Sequence, residues 1–149
     1  MGLVEDLGAG PVGLDSAIFI YFIEEHQAFF PLVLPLFEAI DQGRFEAAAS
    51  SLTLLETLVV PLRAGNLPLA ARYEALLTRS HGVRMVEIDL VVLRSAAQIR
   101  AATGLKTPDS LQLAAALTAG CRVFLTNDRD FPQLGSLRIL RLDRYLPRH

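Results

Sequence analysis

The chain has 149 residues, of which 52% are hydrophobic and 20% are charged, and its formal net charge at pH 7 is −2. This length and composition predict one folded domain over residues 1–149 and exclude a disordered chain. The charge gives no general indication of a nucleic-acid-binding protein.

Strands and helices are predicted to alternate along the chain. Short apolar stretches next to turn residues predict strands at residues 11–14, 44–50, 83–89, 121–126 and 137–142. Helical spacing of apolar residues predicts helices at residues 16 to about 25, near 28 to 42, 51–65, 68 to about 80, 90–104 and 107–120. Because strands connected through helices form parallel sheets, we expect an α/β domain with a mostly parallel sheet.

Two of the predicted helices have recognisable end signals. Asp15 and Ser16 are expected to cap the first helix. Thr107 is expected to cap the last one, with Pro108 at its first position and Gly120 at its end.

Three features predict a soluble, cytoplasmic protein. The longest apolar run, residues 28–40, is too short to cross a bilayer and contains two prolines. No basic segment leads into an apolar one at the N-terminus, so no secretory signal is expected. The single Cys121 excludes an intramolecular disulfide and fits a reducing compartment.

Gly8, Gly10 and Gly13 have the G-x-G-x-x-G spacing of a dinucleotide-binding turn. Such a turn must follow a strand and open a helix, so that backbone amides reach the pyrophosphate. Here the glycines lead into the first predicted strand, and Pro11 removes one backbone donor. We therefore expect no nucleotide site and interpret the glycines as a flexible lead-in to that strand.

Three aspartates are candidates for a functional site. Asp15 and Asp128 each follow a predicted strand, so both are expected at the carboxyl edge of the sheet, where α/β proteins bind ligands. Asp109 lies in the first turn of a helix, where a carboxylate also complements the helix dipole. Taken singly, each has an ordinary structural explanation as a cap, a dipole partner or a turn residue.

Glu56 lacks such an explanation because it lies in the middle of a predicted helix. Helical spacing places it on one stripe with apolar residues that are expected to face the core: Leu52, Leu55, Val59 and Leu62. An unpaired buried carboxylate is costly, and no histidine shares a motif with it. A divalent cation would satisfy all four acids together, since Mg²⁺ and Mn²⁺ prefer carboxylate oxygens.

The segments that contain these acids resemble the signature blocks of the PIN-domain family, and within it the VapC-type toxins of toxin–antitoxin pairs. They are GLDSAIFIYF, SSLTLLET with the later RAGN, KTPDSLQLAAAL and FLTNDRDF, and their order and spacing match the family over nearly the whole chain. The resemblance implies a three-layer α/β/α sandwich with the activity of an Mg²⁺- or Mn²⁺-dependent endoribonuclease.

The family's functional residues can be carried over one by one. The positions that match its acidic quartet, which holds the metal and catalyses the reaction, are Asp15, Glu56, Asp109 and Asp128. Four further residues are expected to support the site: Ser16, Thr126, Asn127 and Asp130. The TND pattern favours Asp128 over Asp130 as the last acid. Ser110 and Gln112 stand where the family often has apolar residues, a difference not expected to disturb the metal site.

The implied reaction is hydrolysis of an RNA phosphodiester. One or two metal ions, held mainly by the three aspartates, would activate water and stabilise the charge that develops on the phosphate. Glu56 would act through a metal-bound water or support the aspartates without contacting the metal. Because the four carboxylates repel one another without metal, a divalent cation is predicted to raise the melting temperature.

The resemblance also implies protein partners. We expect a homodimer and a small antitoxin that wraps the chain and blocks the acidic pocket. Residues 29–37, together with Ile18, Tyr21 and Phe22, are a candidate groove for that antitoxin, the alternative being that they are ordinary core.

The basic residues are an additional feature of the sequence. All but Lys106 of the 14 are arginines, and six fall late in the chain: Arg122, Arg129, Arg138, Arg141, Arg144 and Arg148. Arginine suits bidentate contacts with phosphate, although an ordinary solvated surface explains the same residues.

Two alternative functions share features with this sequence. A phosphoryl-transfer enzyme of haloacid-dehalogenase type needs a second acid two residues after the first, where this chain has Ala17. A catalytically weak or non-catalytic PIN-fold module, which binds RNA or regulates, usually lacks one of the acids, and all four are present. The sequence therefore favours the ribonuclease.

Overall fold

A parallel sheet forms the centre of the molecule in the computed structural model, which describes residues 2–148. Its five strands are β1 (Val12–Leu14), β2 (Ala47–Ser50), β3 (Val83–Val86), β4 (Val123–Thr126) and β5 (Arg138–Arg141). Their order is β3-β2-β1-β4-β5, and every pairing between them is parallel. The predicted α/β fold is confirmed, and the mostly parallel sheet is parallel throughout.

Seven helices within residues 2–148 flank the sheet. They are α1 (Leu3–Leu7), α2 (Ser16–Ile23), α3 (Phe30–Asp41), α4 (Leu52–Arg63), α5 (Leu67–Arg79), α6 (Leu90–Thr103) and α7 (Thr107–Thr118). Residues of α1, α2, α3 and α5 form the apolar core on one face of the sheet, and residues of α6 and α7 form it on the other. This arrangement is the predicted three-layer sandwich. No helix within the described residues combines the length and apolar character needed to cross a membrane.

The glycine-containing lead-in is anchored, contrary to the prediction that it is flexible. Leu3 and Leu7 of α1 are buried four residues apart on one side of a helix too short for its spacing to be recognised in the sequence. Gly10 has φ 75° and packs so closely on Phe45 that a Cβ would lie 2.9 Å from that side chain. At Gly13, inside β1, a Cβ would lie 2.8 Å from atoms of both α7 and β4.

The predicted inner stripe of α4 is wrong. Thr53, Thr57 and Pro61 are buried, whereas Leu55 is 59% and Leu62 52% exposed. Periodicity identifies the two stripes of the helix but not which of them faces inward. Thr57 satisfies its buried hydroxyl by donating to the Thr53 carbonyl at 2.9 Å, so small polar side chains are tolerated inside.

The start of α7 also differs from the prediction. Thr107 is already the first helical residue, so the cap position belongs to Lys106, and the Thr107 hydroxyl accepts a hydrogen bond from Arg100 at 2.9 Å. Gly120, at φ 80°, follows the end of the helix as expected.

Candidate functional site

Asp15 lies at the carboxyl edge of the sheet, directly after the central strand β1. Its backbone N–H donates to the carbonyl of Leu125 in β4 at 3.0 Å. One side-chain oxygen, Oδ1, caps α2 by accepting from the Ser16 N–H at 2.8 Å, and Oδ2 accepts from the Thr126 hydroxyl at 2.6 Å. Because β1 and β4 are neighbours, the end of β4 fixes Asp15, the residue that follows β1.

Asp128 is tied to Asp15 through Thr126. The Thr126 hydroxyl that donates to Asp15 also accepts from the backbone N–H of Asp128 at 3.0 Å. Asp128 in turn accepts at Oδ1 from the N–H of Asp130 at 2.8 Å. Asp15 and Asp128 line one open cavity of about 540 Å³, together with Tyr21 and other residues. The Thr126 hydroxyl therefore contacts both acidic residues through hydrogen bonds.

Asp109, in the first turn of α7, lies near the other acids. Burial raises the pKa of Asp109, and the charges of Asp128 and Glu56 raise this pKa further, while Lys106 opposes the change. Asp109 and Asp130 line a second cavity of about 230 Å³, so Asp130 lies on the side of the site next to α7. Because the N–H of Asp130 donates to Asp128, which lines the first cavity with Asp15, Asp109 lies in the same region as these acids.

Glu56 has neutral partners, which sequence analysis did not identify. Its Oε1 accepts from the Ser16 hydroxyl at 2.8 Å and from the side-chain amide of Gln112 at 2.9 Å. Gln112 also donates to the Thr53 hydroxyl at 3.0 Å. Within this network Thr53 is fully buried and Gln112 is 2% exposed. The half-buried Glu56 is thus held by donors from α2 and α7.

Gln112 contacts Glu56, a contact that the sequence does not predict. As a departure from an apolar position, Gln112 is expected from the sequence to have no effect on the metal site. The available signal was chemical, since an amide on the inner face of a helix needs a hydrogen-bonding partner. Ser110, the second departure, is also buried, but its hydroxyl donates to the Leu105 carbonyl at 3.2 Å and does not contact Glu56.

The remaining supporting residue, Asn127, acts at a distance from the acids. Its side-chain amide donates to the Tyr21 hydroxyl at 3.2 Å, and its carbonyl accepts from the N–H of Asp143 at 3.0 Å. These bonds join α2 to the segment after β5. Asn127 therefore fixes the loop that carries Asp128 without touching the carboxylate.

The donor chemistry of the site suits a hard divalent cation. All four predicted ligands offer carboxylate oxygens, which Mg²⁺ and Mn²⁺ prefer. Burial raises the pKa of Asp15 to about 6; the hydrogen bonds from Thr126 and Ser16 oppose this rise, and the charges of Asp109 and Glu56 add to it. Within residues 2–148 no three acidic, histidine or cysteine side chains already form a metal-binding group. A cation at this edge would therefore be held by one or two carboxylates together with water, as is common for Mg²⁺.

Asp15 should make the stability of the metal-free protein depend on pH. The pKa of Asp15 is about 6 in the folded protein and 3.8 ordinarily, so the folded state binds this proton more tightly. The contribution of Asp15 to stability is therefore present below pH 4 and is lost as pH rises to about 6, a change of about 3 kcal/mol. In EDTA, the melting temperature of the wild type relative to Asp15→Asn is expected to fall across this window. Parallel profiles for the two proteins would contradict this assignment.

The chain was compared with known proteins at the level of sequence and structure. The family model described as PIN domain matches residues 12–137, and curated protein sequences show no match. A DNA-bound VapBC structure from Salmonella typhimurium is 20% identical with a TM-score of 0.70, over 88% of this chain and 97% of the other. A toxin–antitoxin complex from Klebsiella pneumoniae is 18% identical with a TM-score of 0.65, over 86% and 95%. VapBC2 from Rickettsia felis, bound to a promoter DNA fragment, is 14% identical with a TM-score of 0.69, over 87% and 97%.

Proposed function

The chain belongs to the PIN-domain family, and from this premise we propose that it is a metal-dependent endoribonuclease, the toxin of a VapBC-type toxin–antitoxin pair. The observation that carries the proposal is the convergence of Asp15, Asp109 and Asp128 at one edge of the sheet, where burial and mutual repulsion raise the pKa of Asp15 and Asp109. Structures similar in fold are toxin–antitoxin complexes. The proposed place of action is the cytoplasm, where a lone thiol such as Cys121 stays reduced.

The proposed metal is Mg²⁺ or Mn²⁺, held by Asp15, Asp109 and Asp128. When bound, it supplies positive charge that polarises the phosphate and lowers the pKa of water. We favour Asp128 over Asp130 as the third ligand because Asp128 is linked to Asp15 through Thr126 and has the larger effect on the pKa of Asp109.

Residues of the chain itself orient the reacting groups. The Thr126 hydroxyl fixes Oδ2 of Asp15, and the Ser16 N–H fixes Oδ1. Both donors to Glu56 reach Oε1, which leaves Oε2 to accept a hydrogen bond from the attacking water. The proposed role of Glu56 is therefore to align that water and receive its proton.

Cleavage of RNA by the purified protein tests this function. We expect cleavage with Mg²⁺ or Mn²⁺ and none in EDTA. Equal cleavage under all conditions would overturn the metal-dependent mechanism. RNA binding without cleavage at any metal concentration would instead support the non-catalytic alternative.

A divalent cation is expected to raise the melting temperature by about 5–10 °C when present at about 100 times its dissociation constant. The reason is that the cation offsets the burial and mutual repulsion that raise the pKa of Asp15 and Asp109. Differential scanning fluorimetry with Mg²⁺ or Mn²⁺ measures the shift, with a sodium salt of equal ionic strength as control. Identical curves with and without the cation would exclude tight binding at this site.

The proposed antitoxin site lies between α3 and α5 and corrects the groove predicted from the sequence. Ile18 is fully buried in the core and is not accessible to a partner. A cavity of about 260 Å³ is lined by Phe22, Leu34 and Phe37 and bordered by the acidic Glu38. An apolar segment of the antitoxin with basic flanks fits this surface.

A homodimer is proposed because apolar side chains are exposed on α4, at the start of α5 and at the start of α6. They include Leu55, Val60, Leu62, Leu67, Leu90 and Val91. Because α4 packs against α5, their exposed apolar side chains lie on neighbouring elements, as in surfaces that bind a protein partner. Sedimentation equilibrium should give twice the mass of one chain, and a strictly monomeric protein would refute the dimer.

A further inference from the structure

The fold separates five of the six late arginines of the sequence into two groups. Arg122 directly precedes β4, and Arg138 begins β5, so both lie at the amino edge of the sheet. Arg129, Arg141 and Arg144 lie at or beyond the carboxyl ends of the same strands. This second group is therefore at the edge that also holds the acidic site.

The three arginines at the carboxyl edge line a groove of about 340 Å³, together with Gln133 and Tyr145. Arg129 also lines the cavity that contains Asp15 and Asp128. Since one side chain belongs to both walls, the groove and the acidic cavity adjoin each other.

The groove keeps an excess of positive charge. Arg141 donates to Asp143 through Nε and Nη2, each at 3.2 Å, which fixes its guanidinium group. Arg129 approaches the same carboxylate only to 3.9 Å, and its side chain is 77% exposed, so this pair is weak. Arg144 is exposed on the same groove. The groove therefore carries three guanidinium groups, of which Asp143 pairs closely with Arg141 and weakly with Arg129.

We propose that this groove binds the phosphodiester backbone of the RNA strand beside the bond that is cleaved. The inference rests on the proposed nuclease function, which places the reacting phosphate among the carboxylates. A strand entering that acidic cavity needs a favourable electrostatic contact next to it, and guanidinium groups bind phosphate oxygens in a bidentate manner. The groove supplies that contact directly adjacent to the acids.

The test measures equilibrium binding of a short fluorescein-labelled single-stranded RNA in EDTA, by fluorescence anisotropy over a range of salt concentrations. Arg129→Ser and Arg144→Ser should each lower the slope of log K against log salt by about 0.7, the value for one phosphate contact on a single strand. At about 0.1 M salt this corresponds to about fivefold weaker binding. Unchanged melting temperatures show that the variants are folded.

Arg122→Ser is the matched control, because Arg122 is also exposed but lies at the opposite edge of the sheet. It should bind RNA with the wild-type slope and affinity. Wild-type binding by Arg129→Ser and Arg144→Ser would overturn the proposal, as would an equal loss in Arg122→Ser. Tighter binding of DNA of the same sequence would reassign the groove to DNA and would also overturn it.

A second measurement separates this proposal from the nuclease proposal. In the cleavage assay with Mg²⁺, Arg144→Ser should raise KM about fivefold and leave kcat unchanged. Normal KM and normal binding in the variants would refute the groove while the nuclease stands. If the wild-type protein cleaves no RNA but the arginine variants still bind RNA more weakly, the nuclease proposal is refuted. The groove is then retained as an RNA-binding site.

Discussion

Asp15→Asn is expected to reduce the rate of RNA cleavage by about 10²- to 10³-fold, the scale on which enzymes lose activity when one preorganised electrostatic contact is removed. Asp15 directly follows the central strand β1, and both of its side-chain oxygens accept hydrogen bonds. An asparagine keeps the size of the side chain and can still cap α2, but it removes the negative charge that a cation needs. The measurement is kcat for a labelled RNA with saturating Mg²⁺.

Asp41→Asn is the matched control for this experiment. Asp41 is an exposed aspartate at the end of α3, away from the acidic cavity. It should retain wild-type kcat. The metal-dependent mechanism would be refuted if Asp15→Asn cleaved RNA as fast as Asp41→Asn. A simple folding defect is excluded when Asp15→Asn in EDTA at neutral pH melts no lower than the wild type, as expected from the raised pKa of Asp15.

Gln112→Leu is expected to lower cleavage by about 10- to 100-fold, as when a residue that orients a metal-site ligand is removed. Leucine has a similar volume but removes one of the two donors to Oε1 of Glu56 and leaves the Thr53 hydroxyl with one partner fewer. The free energy of unfolding should decrease by about 1–3 kcal/mol, the cost of leaving buried polar groups unpaired. Cleavage assays and urea denaturation measure the two effects.

Ser110→Ala provides the matched control for Gln112→Leu. Ser110 is buried in the same helix and also loses a hydrogen bond on substitution, but it does not contact Glu56. It should lower stability without a matching loss of kcat. A double-mutant cycle with Glu56→Gln adds a second check, since Gln112→Leu should have little further effect on kcat once Glu56 is changed. Additive losses would show that Gln112 acts independently of Glu56.

The parts of the site that depend on strand ends were predictable from the sequence. Asp15 and Asp128 follow strands that pair in parallel, and the ends of such strands share one edge whatever the details of packing. The sequence thus predicts that these two acids lie at one edge of the sheet, and both are found there. Helix starts are nearly as informative, and the first turn of α7 brings Asp109 to the same region.

The parts that depend on tertiary packing were not predictable. Periodicity found both stripes of α4, but the choice between threonines and leucines as the inner one depends on what the rest of the chain places against the helix. Gln112, one of the two donors to Glu56, lies in α7, 56 positions away along the chain, so no local pattern reveals this contact. Helix α1 is not predictable from the sequence because five residues are too few to show a helical spacing of apolar residues.

Because Gly13 has no side chain, α7 can pack closely against β1, and this contact affects the distance between Asp109 and the acids at the strand ends. The bare backbone of β1 at this position lets α7 come within van der Waals contact at Ala116. Asp109 lies about 10 Å from Ala116 along the same rigid helix, at a rise of about 1.5 Å per residue. The position of Asp109 relative to the acids at the strand ends therefore depends on a contact in the core. Gly13 is thus a core residue whose missing side chain helps to set where Asp109 lies.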